Sequence, residues 1–283
     1  MKLGIVFEGG ASRTLFSCGA IDALLENKVH ADYIIGVSAG IAYGVGYASG
    51  QIGRNLTVAT KYMHDPRYMG AKYLFDRHNR GYYNLDFVFE EIPAKLVPFD
   101  FDAYEKYDGR IIAGVTNIET GKAEYIDIPR DDRTFKVLRA SCALPILFQP
   151  VEINGKRYMD GGITDSIPYK HALADGCDKL IVILTRERGY IKTTEAAIPI
   201  SKRIFRKYPN FARALEDRSD MYNQTRKDLF ELEKNGGAAV IMPQEAITCK
   251  RTEKSPEKLK ELYDDGYRIT KQMMPKILEY INK

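Results

Sequence analysis

The sequence predicts an α/β fold with parallel strands, and three observations carry that reading. Two short apolar runs, Lys2 to Phe7 and Tyr33 to Val37, each end at a glycine-containing turn and pass into a segment with helical spacing of apolar or small residues. Strand, turn and helix twice over imply parallel strands joined by a crossover helix. The totals fit: 283 residues, 45% hydrophobic and 28% charged, give ordinary globular composition and chain enough for a sizeable core.

The elements follow in order. After the first run, Glu8-Gly9-Gly10 forms a turn, and Leu15, Phe16, Ala20 and Leu24 mark a helix between Arg13 and Asn27. After the second, Ala39, Gly40, Ala42, Gly44, Gly46 and Ala48 suit a helix packed closely on a sheet. Further strands are expected at Arg110 to Thr116, Lys122 to Ile128, Lys179 to Leu184 and Ala238 to Met242. Asn154-Gly155, between Val151-Glu152-Ile153 and Lys156-Arg157-Tyr158, is a strong hairpin signal. Long helices are expected from Pro209 to about Lys234 and from Ser255 to Ile281, the second with serine at its cap and proline at its first position. Tyrosine-rich stretches from Tyr62 to Tyr83 and from Phe87 to Tyr107 read either as a cap over a pocket or as an insertion with its own small core. With no repeat, low-complexity tract or linker, residues 1–283 are expected to form one domain.

A net charge of +4 and a pI near 8.6 favour anionic surfaces but fall short of a nucleic-acid footprint without a clustered patch. Cys18, Cys142, Cys177 and Cys249 lie far apart and form neither a zinc nor a redox pair. Asp131-Asp132 and Asp264-Asp265 lack the spacing of a calcium loop, so no metal and no cofactor are expected. Leu3 to Phe7 is too short for a signal-peptide core or a membrane span, and a cytoplasmic location is expected, at most peripheral at the inner membrane surface. Oligomeric state is not legible.

Gly36-Val37-Ser38-Ala39-Gly40 falls at the boundary between the second strand and its helix. A shuffled chain with 23 glycines would show about 0.06 G-x-S-x-G matches, so the placement matters more than the motif. Glycines two residues either side of a serine let it sit at a sharp, exposed turn. The bland reading is a glycine-rich strand end with a capping serine. A nucleophilic serine needs a base and an oxyanion pocket. His30, His64, His78 and His171 are the only histidines. A Ser-His-Asp order would use Asp160 and His171, but Ser38 follows only two strands and His171 falls inside a helix, so the fit is poor.

Three separated segments together resemble the patatin-like phospholipase family: Glu8-Gly9-Gly10-Ala11-Ser12-Arg13, Gly36-Val37-Ser38-Ala39-Gly40, and Tyr158 to Pro168 with Asp160-Gly161-Gly162. They occur in the family's order, and Arg139 to Gly162 is similar throughout; the resemblance spans about residues 3–185, followed by a mainly helical portion from 186. It implies a three-layer sandwich with a mostly parallel central sheet, and a dyad in which Ser38 is the nucleophile and Asp160 its partner. It also implies an oxyanion hole from Gly9, Gly10 and Ala11, with Arg13 as the basic residue of that loop, while Gly36, Gly40, Gly161 and Gly162 are the motif glycines. A carboxylate whose pKa is raised by partial burial can take the serine proton and return it to a leaving alcohol. Ala11 and Thr14 stand where the family has or often has glycine, and a positive φ at Ala11 costs on the order of 1 kcal/mol. Asp165 reads as the cap of a helix beginning near Ser166.

The resemblance further implies a lipid or acyl-ester substrate, attacked by Ser38 to give an acyl-enzyme. Cys142 to Phe148 would suit an acyl chain or plain core. Ile200 to Leu215 interleaves Lys202, Arg203, Arg206, Lys207 and Arg213 with Ile204, Phe205, Tyr208 and Phe211. That segment suits weak contact with an anionic membrane, its aromatic residues dipping in, or a solvated helix face. The alternative function is a lipid- or acyl-binding module on the same fold with little or no turnover.

Overall fold

The structure, a computed structural model, describes residues 1–76, 81–194, 196 and 198–283. Among them are eight strands: β1 (Leu3–Phe7), β2 (Tyr33–Val37), β3 (Arg110–Asn117), β4 (Ala123–Asp127), β5 (Val151–Ile153), β6 (Lys156–Asp160), β7 (Lys179–Ile183) and β8 (Ala238–Ile241). They form one mixed sheet in the order β5-β6-β3-β2-β1-β7-β8, with β4 also pairing with β3. From β3 to β8 every pairing along that order is parallel, whereas β4 and β6 run antiparallel to β3. The α-helices are α1 (Leu15–Glu26), α2 (Ala39–Ala48), α3 (Arg54–Tyr62), α4 (Phe101–Lys106), α5 (Lys136–Ser141), α6 (Tyr169–Ala174), α7 (Ile198–Ile204), α8 (Pro209–Lys234) and α9 (Pro256–Asn282), and Phe87–Leu96 winds as a π-helix.

Strand side chains alternate between faces, and both faces of the central strands are buried. On one side Ile5, Phe7, Ile34 and Ile183 pack with residues of α1, α2 and α9; on the other, Val6, Ile35 and Val182 pack with α6 and α8. This is the expected three-layer α/β sandwich. The first turn is tighter than the periodicity suggests: Ala11–Thr14 winds as a 3-10 turn before α1 begins at Leu15. The two long helices match expectation, and the Ser255 hydroxyl accepts from Lys258 N at 3.3 Å as the cap of α9.

The chain after β7 returns to the first half. β8 adds to β7, and α9 lies against α1. The approach is backbone to backbone: a Cβ on Gly266 would sit 1.9 Å from the Phe16 carbonyl oxygen, and one on Gly19 would sit 2.0 Å from that of Tyr263. Tyr263 and Tyr267 donate to Asp22 and Glu26, pinning the same contact at its edge.

Two expectations change here. Asp165 does not cap a helix at Ser166: α6 begins at Tyr169, and the Asp165 carboxylate accepts from Ile167 N and the Tyr125 hydroxyl. Pro168 disfavours the helical region for Ile167 before it, so the helix starts only after the proline. In the Ile200 to Leu215 segment, Phe205 and Phe211 do not face outward; their rings pack against each other at a tilt, in a cluster with Phe148 and Met159. Ile200 and Ile204 are the exposed apolar residues, beside exposed Lys202, Arg203, Arg206 and Lys207.

Gly266→Ala must push α9 off α1. Overpacking of this kind costs about 1–3 kcal/mol, so the urea midpoint is expected to fall without a change in slope; an unshifted midpoint would mean that the helices are not in backbone contact.

Candidate active site

β2 ends at Val37, and Ser38 takes φ 54° and ψ −140° before α2 begins. A non-glycine residue there is strained by about 1–3 kcal/mol and persists only where its surroundings over-determine it. Several contacts do so. Ser38 N donates to the Ser141 hydroxyl at 2.8 Å, and that hydroxyl donates to the Gly114 carbonyl at 2.7 Å, tying the turn to β3. A Cβ on Gly40 would lie 2.5 Å from the Glu8 carbonyl oxygen, and one on Gly36 would lie 2.9 Å from that of Phe7. The two motif glycines thus let the start of α2 press on the end of β1.

Asp160 ends β6, paired opposite Val115 of β3, and is 1% exposed. Its Oδ1 accepts from Gly162 N at 2.8 Å, while Oδ2 is buried without a well-formed hydrogen bond. The Ser38 hydroxyl interacts with this carboxylate. Burial pushes the Asp160 carboxyl above its ordinary value; the Arg218 charge, the Ser38 hydroxyl and the Gly162 N–H hold it back. Gly161 has no alternative, since its Cβ would fall 2.1 Å from the Gly114 carbonyl oxygen.

The Glu8–Arg13 turn runs past Ser38: a Cβ on Gly9 would meet Ser38 Cβ at 3.0 Å. Glu8 is buried and accepts from the backbone and hydroxyl of Thr185 and from the Tyr222 hydroxyl. The N–H groups of Gly10 and Ala11 donate to no other described residue. Ala11 has φ 49°, so the glycine missing from this loop is missing where the backbone is left-handed. Arg13 is buried, with its Nε lacking a partner.

Two cavities meet at Ser38. One, of about 140 Å³, is apolar and runs beneath Ala42, Val45, Val88, Phe89 and Ile92. Tyr68, Tyr83 and Leu85 of the tyrosine-rich insertion form part of its wall, so that insertion covers a pocket; His78 lies outside the described residues. Cys142, Leu144 and Phe148 line it too, whereas Ala143 packs in the core. The other, of about 60 Å³, is polar and holds Ser38, Asp160, the Glu8–Ala11 turn and Arg13.

Ser38, Asp160, Gly162, the Glu8–Ala11 turn and Arg13 therefore gather around one cavity. His171 does not: it stacks on Tyr125 at 3.7 Å, lies 3.5 Å from Asp175, and lines neither cavity. Sequence reasoning missed Ser141, Thr185 and Tyr222, along with Arg186, Lys192, Arg218 and Arg251 on the wall of the polar cavity. A lone serine or arginine in a helix or loop carries no spacing signal, and only the fold brings these together.

The three-motif geometry has a counterpart among known families: the profile of the patatin-like phospholipases matches residues 5–173. The chain belongs to the patatin-like phospholipase family. A second profile, for a domain of unknown function (DUF6363), matches residues 208–282. Among individual proteins, the chain is 29% identical over 192 residues to the uncharacterized protein YjjU of Escherichia coli, covering 65% of this chain and 52% of YjjU. It is 24% identical over 193 residues to the lysophospholipase NTE1 of Meyerozyma guilliermondii, covering 64% of this chain and 12% of that protein. With the Candida albicans NTE1 the figures are 25%, 64% and 13%. The chain thus spans about half of the first relative and a small part of the others. The crystal structure of VipD from Legionella pneumophila aligns over 97% of this chain and 66% of its own, with a TM-score of 0.49 and 14% identity. Membership of the patatin-like phospholipases supports a lipid acyl hydrolase at family level.

Ala11→Gly removes the side chain from a left-handed position. It is expected to raise stability by about 1 kcal/mol, with backbone freedom in the unfolded chain taking back part of the gain; a melting temperature that falls would show that the Ala11 methyl group packs favourably.

Proposed function

We propose that this chain is a serine lipid acyl hydrolase working through a Ser38-Asp160 dyad. The observation that carries the reading is the meeting of an over-determined serine turn with a buried carboxylate whose Oδ2 lacks a well-formed hydrogen bond, at the junction of an apolar and a polar cavity. Ser38 Oγ attacks the ester carbonyl as Asp160 takes its proton, and the tetrahedral oxyanion forms toward the Gly9-Gly10-Ala11 turn, where the N–H groups of Gly10 and Ala11 donate to no other described residue. Collapse expels the alkoxide, which leaves as the alcohol with the proton from Asp160. Water then attacks the acyl-enzyme, Asp160 takes the water's proton and returns it to Ser38 Oγ, and the fatty acid is released.

The acyl chain occupies the apolar cavity, and the alcohol portion of the substrate faces the polar one. No helix among the described residues is long and apolar enough to cross a membrane. Approach to lipid is assigned to the exposed Lys202, Arg203, Arg206 and Lys207 with Ile200 and Ile204, a basic surface with apolar points. Reversing those four charges is expected to weaken sedimentation with anionic vesicles; unchanged binding would remove this surface from the account.

The pH dependence has a definite sign. Asp160 must be ionised to act, and its pKa lies above 3.8, so kcat/KM is expected to rise with pH through a midpoint above that value. Because the folded state holds this proton more tightly than the unfolded chain does, the group's effect on stability becomes less favourable as pH rises from the ordinary value toward the native one. Asp160→Asn is therefore expected to lower turnover of a short chromogenic ester at least 100-fold while keeping or raising the melting temperature at neutral pH. Ser38→Ala should abolish turnover, and His171→Ala should leave it within twofold; a large loss in His171→Ala would replace the dyad with a triad that includes His171.

A further inference from the structure

The apolar cavity that begins at Ser38 follows one face of α2. Ala39, Ala42, Tyr43 and Gly46, spaced at three and four residues, all line it, and the two alanines and the glycine leave open the space that larger side chains would fill. The π-helix Phe87–Leu96 supplies Val88, Phe89, Ile92 and Pro93 to the same wall. An α-helix rises about 1.5 Å per residue, so the step from Ser38 to Gly46 carries the cavity about 12 Å from the reacting hydroxyl.

That far end differs in chemistry from the rest. A Cβ on Gly46 would meet the Asn55 amide nitrogen at 2.9 Å, so the glycine lets the start of α3 close on α2, and Asn55 Nδ2 donates to the Tyr43 carbonyl at 3.2 Å. Beside it, Arg54 Nη2 donates to the Val97 carbonyl at 2.8 Å and Nε to that of Pro98 at 3.3 Å, while the guanidinium lies over the Phe99 ring, 5.0 Å from its centroid. Phe99 stands edge-on to Phe135 at 5.6 Å, and both rings line the cavity. No carboxylate among the described residues pairs with Arg54; burial pushes its pKa down to about 10, so it stays charged at neutral pH while largely removed from water. An alkyl chain pressed against that cation strips it of further hydration and offers no hydrogen bond in return.

We propose that Arg54, with Asn55 and Phe99 beside it, is the end stop of the acyl pocket and makes this chain selective for medium-length acyl groups, of about eight to ten carbons over a path of about 12 Å. The proposal rests on the assignment of Ser38 as nucleophile, with the acyl chain on the apolar side. Up to that length each added methylene buries apolar surface along α2 and the π-helix. Beyond it the terminal carbons meet the guanidinium or must part Phe99 from Phe135, and further length gains nothing. The charge matters as well as the bulk: an apolar floor repacks around one more methylene, whereas a guanidinium held by two carbonyls penalises the longer chain directly.

The test reads chain binding apart from turnover. Ser38→Ala protein is titrated calorimetrically with butanoate, hexanoate, octanoate, decanoate, dodecanoate and tetradecanoate, and with octanedioate, each below its micelle concentration. Affinity is expected to tighten about threefold to fourfold per methylene as far as octanoate or decanoate and then to stay level or weaken. Arg54→Ala in the same background is expected to carry the rise on to dodecanoate, with Arg54→Gln taking its place should the alanine variant fail to fold. Ala42→Leu, which fills the cavity about midway, is expected to bring the break back toward hexanoate. A rise that continues unbroken to tetradecanoate in the Ser38→Ala protein overturns the proposal, as does a break that neither the Arg54 variant nor Ala42→Leu moves. Octanedioate binding more tightly than octanoate also overturns it, because Arg54 would then be pairing with an anion rather than turning the chain away. None of these readings depends on catalysis: a wild type that hydrolyses no ester but shows the break loses the dyad and keeps the pocket, whereas an active wild type without the break does the reverse.

Discussion

The structure depends on one strained residue. Ser38 holds a backbone conformation that costs about 1–3 kcal/mol, and the surrounding geometry is arranged so that it has no lower alternative. Ser141 bridges its N–H to β3, and Gly40 allows the start of α2 to touch the carbonyl of Glu8. The same junction sets the positions of both partners. Gly9 lies against Ser38, and Gly161, pressed onto the Gly114 carbonyl, holds Asp160 at the end of β6. Glycines at these points are required by close approach of backbone to backbone rather than by flexibility.

A second constraint is electrostatic. A buried carboxylate without a full set of hydrogen bonds costs stability, and the cost is limited by the Arg218 charge and the Gly162 N–H. Arg218 lies on α8, within the residues matched by the domain of unknown function. That portion does more than decorate the half that carries Ser38: Tyr222 holds Glu8, the Arg251 carbonyl holds Ser12, and α9 locks onto α1 through Gly19 and Gly266. Loss of α8 or α9 would therefore disturb the Glu8–Arg13 turn directly.

Much of this was legible in the sequence because it rests on short-range chemistry. The two strand-turn-helix units, the Asn154-Gly155 hairpin and the Ser255-Pro256 helix start are local signals, and the structure has all of them. The sequence left the sign of φ at Ala11 open, and the structure puts it in the left-handed region. What the sequence hid was long-range. Ser141 is 103 residues from Ser38, and Tyr222 is 214 from Glu8, so neither forms a motif. The inward turn of Phe205 and Phe211 was hidden likewise, because their burial is decided by Phe148 and Met159 across the fold and not by the basic residues beside them.

The most direct test of the central claim is intact mass after exposure to a fluorophosphonate, followed by peptide mapping of the adduct. One adduct per chain on the peptide carrying Ser38, absent from Ser38→Ala and strongly slowed in Asp160→Asn, is the result predicted. An adduct on another residue, or labelling at an unchanged rate in Asp160→Asn, would contradict the account.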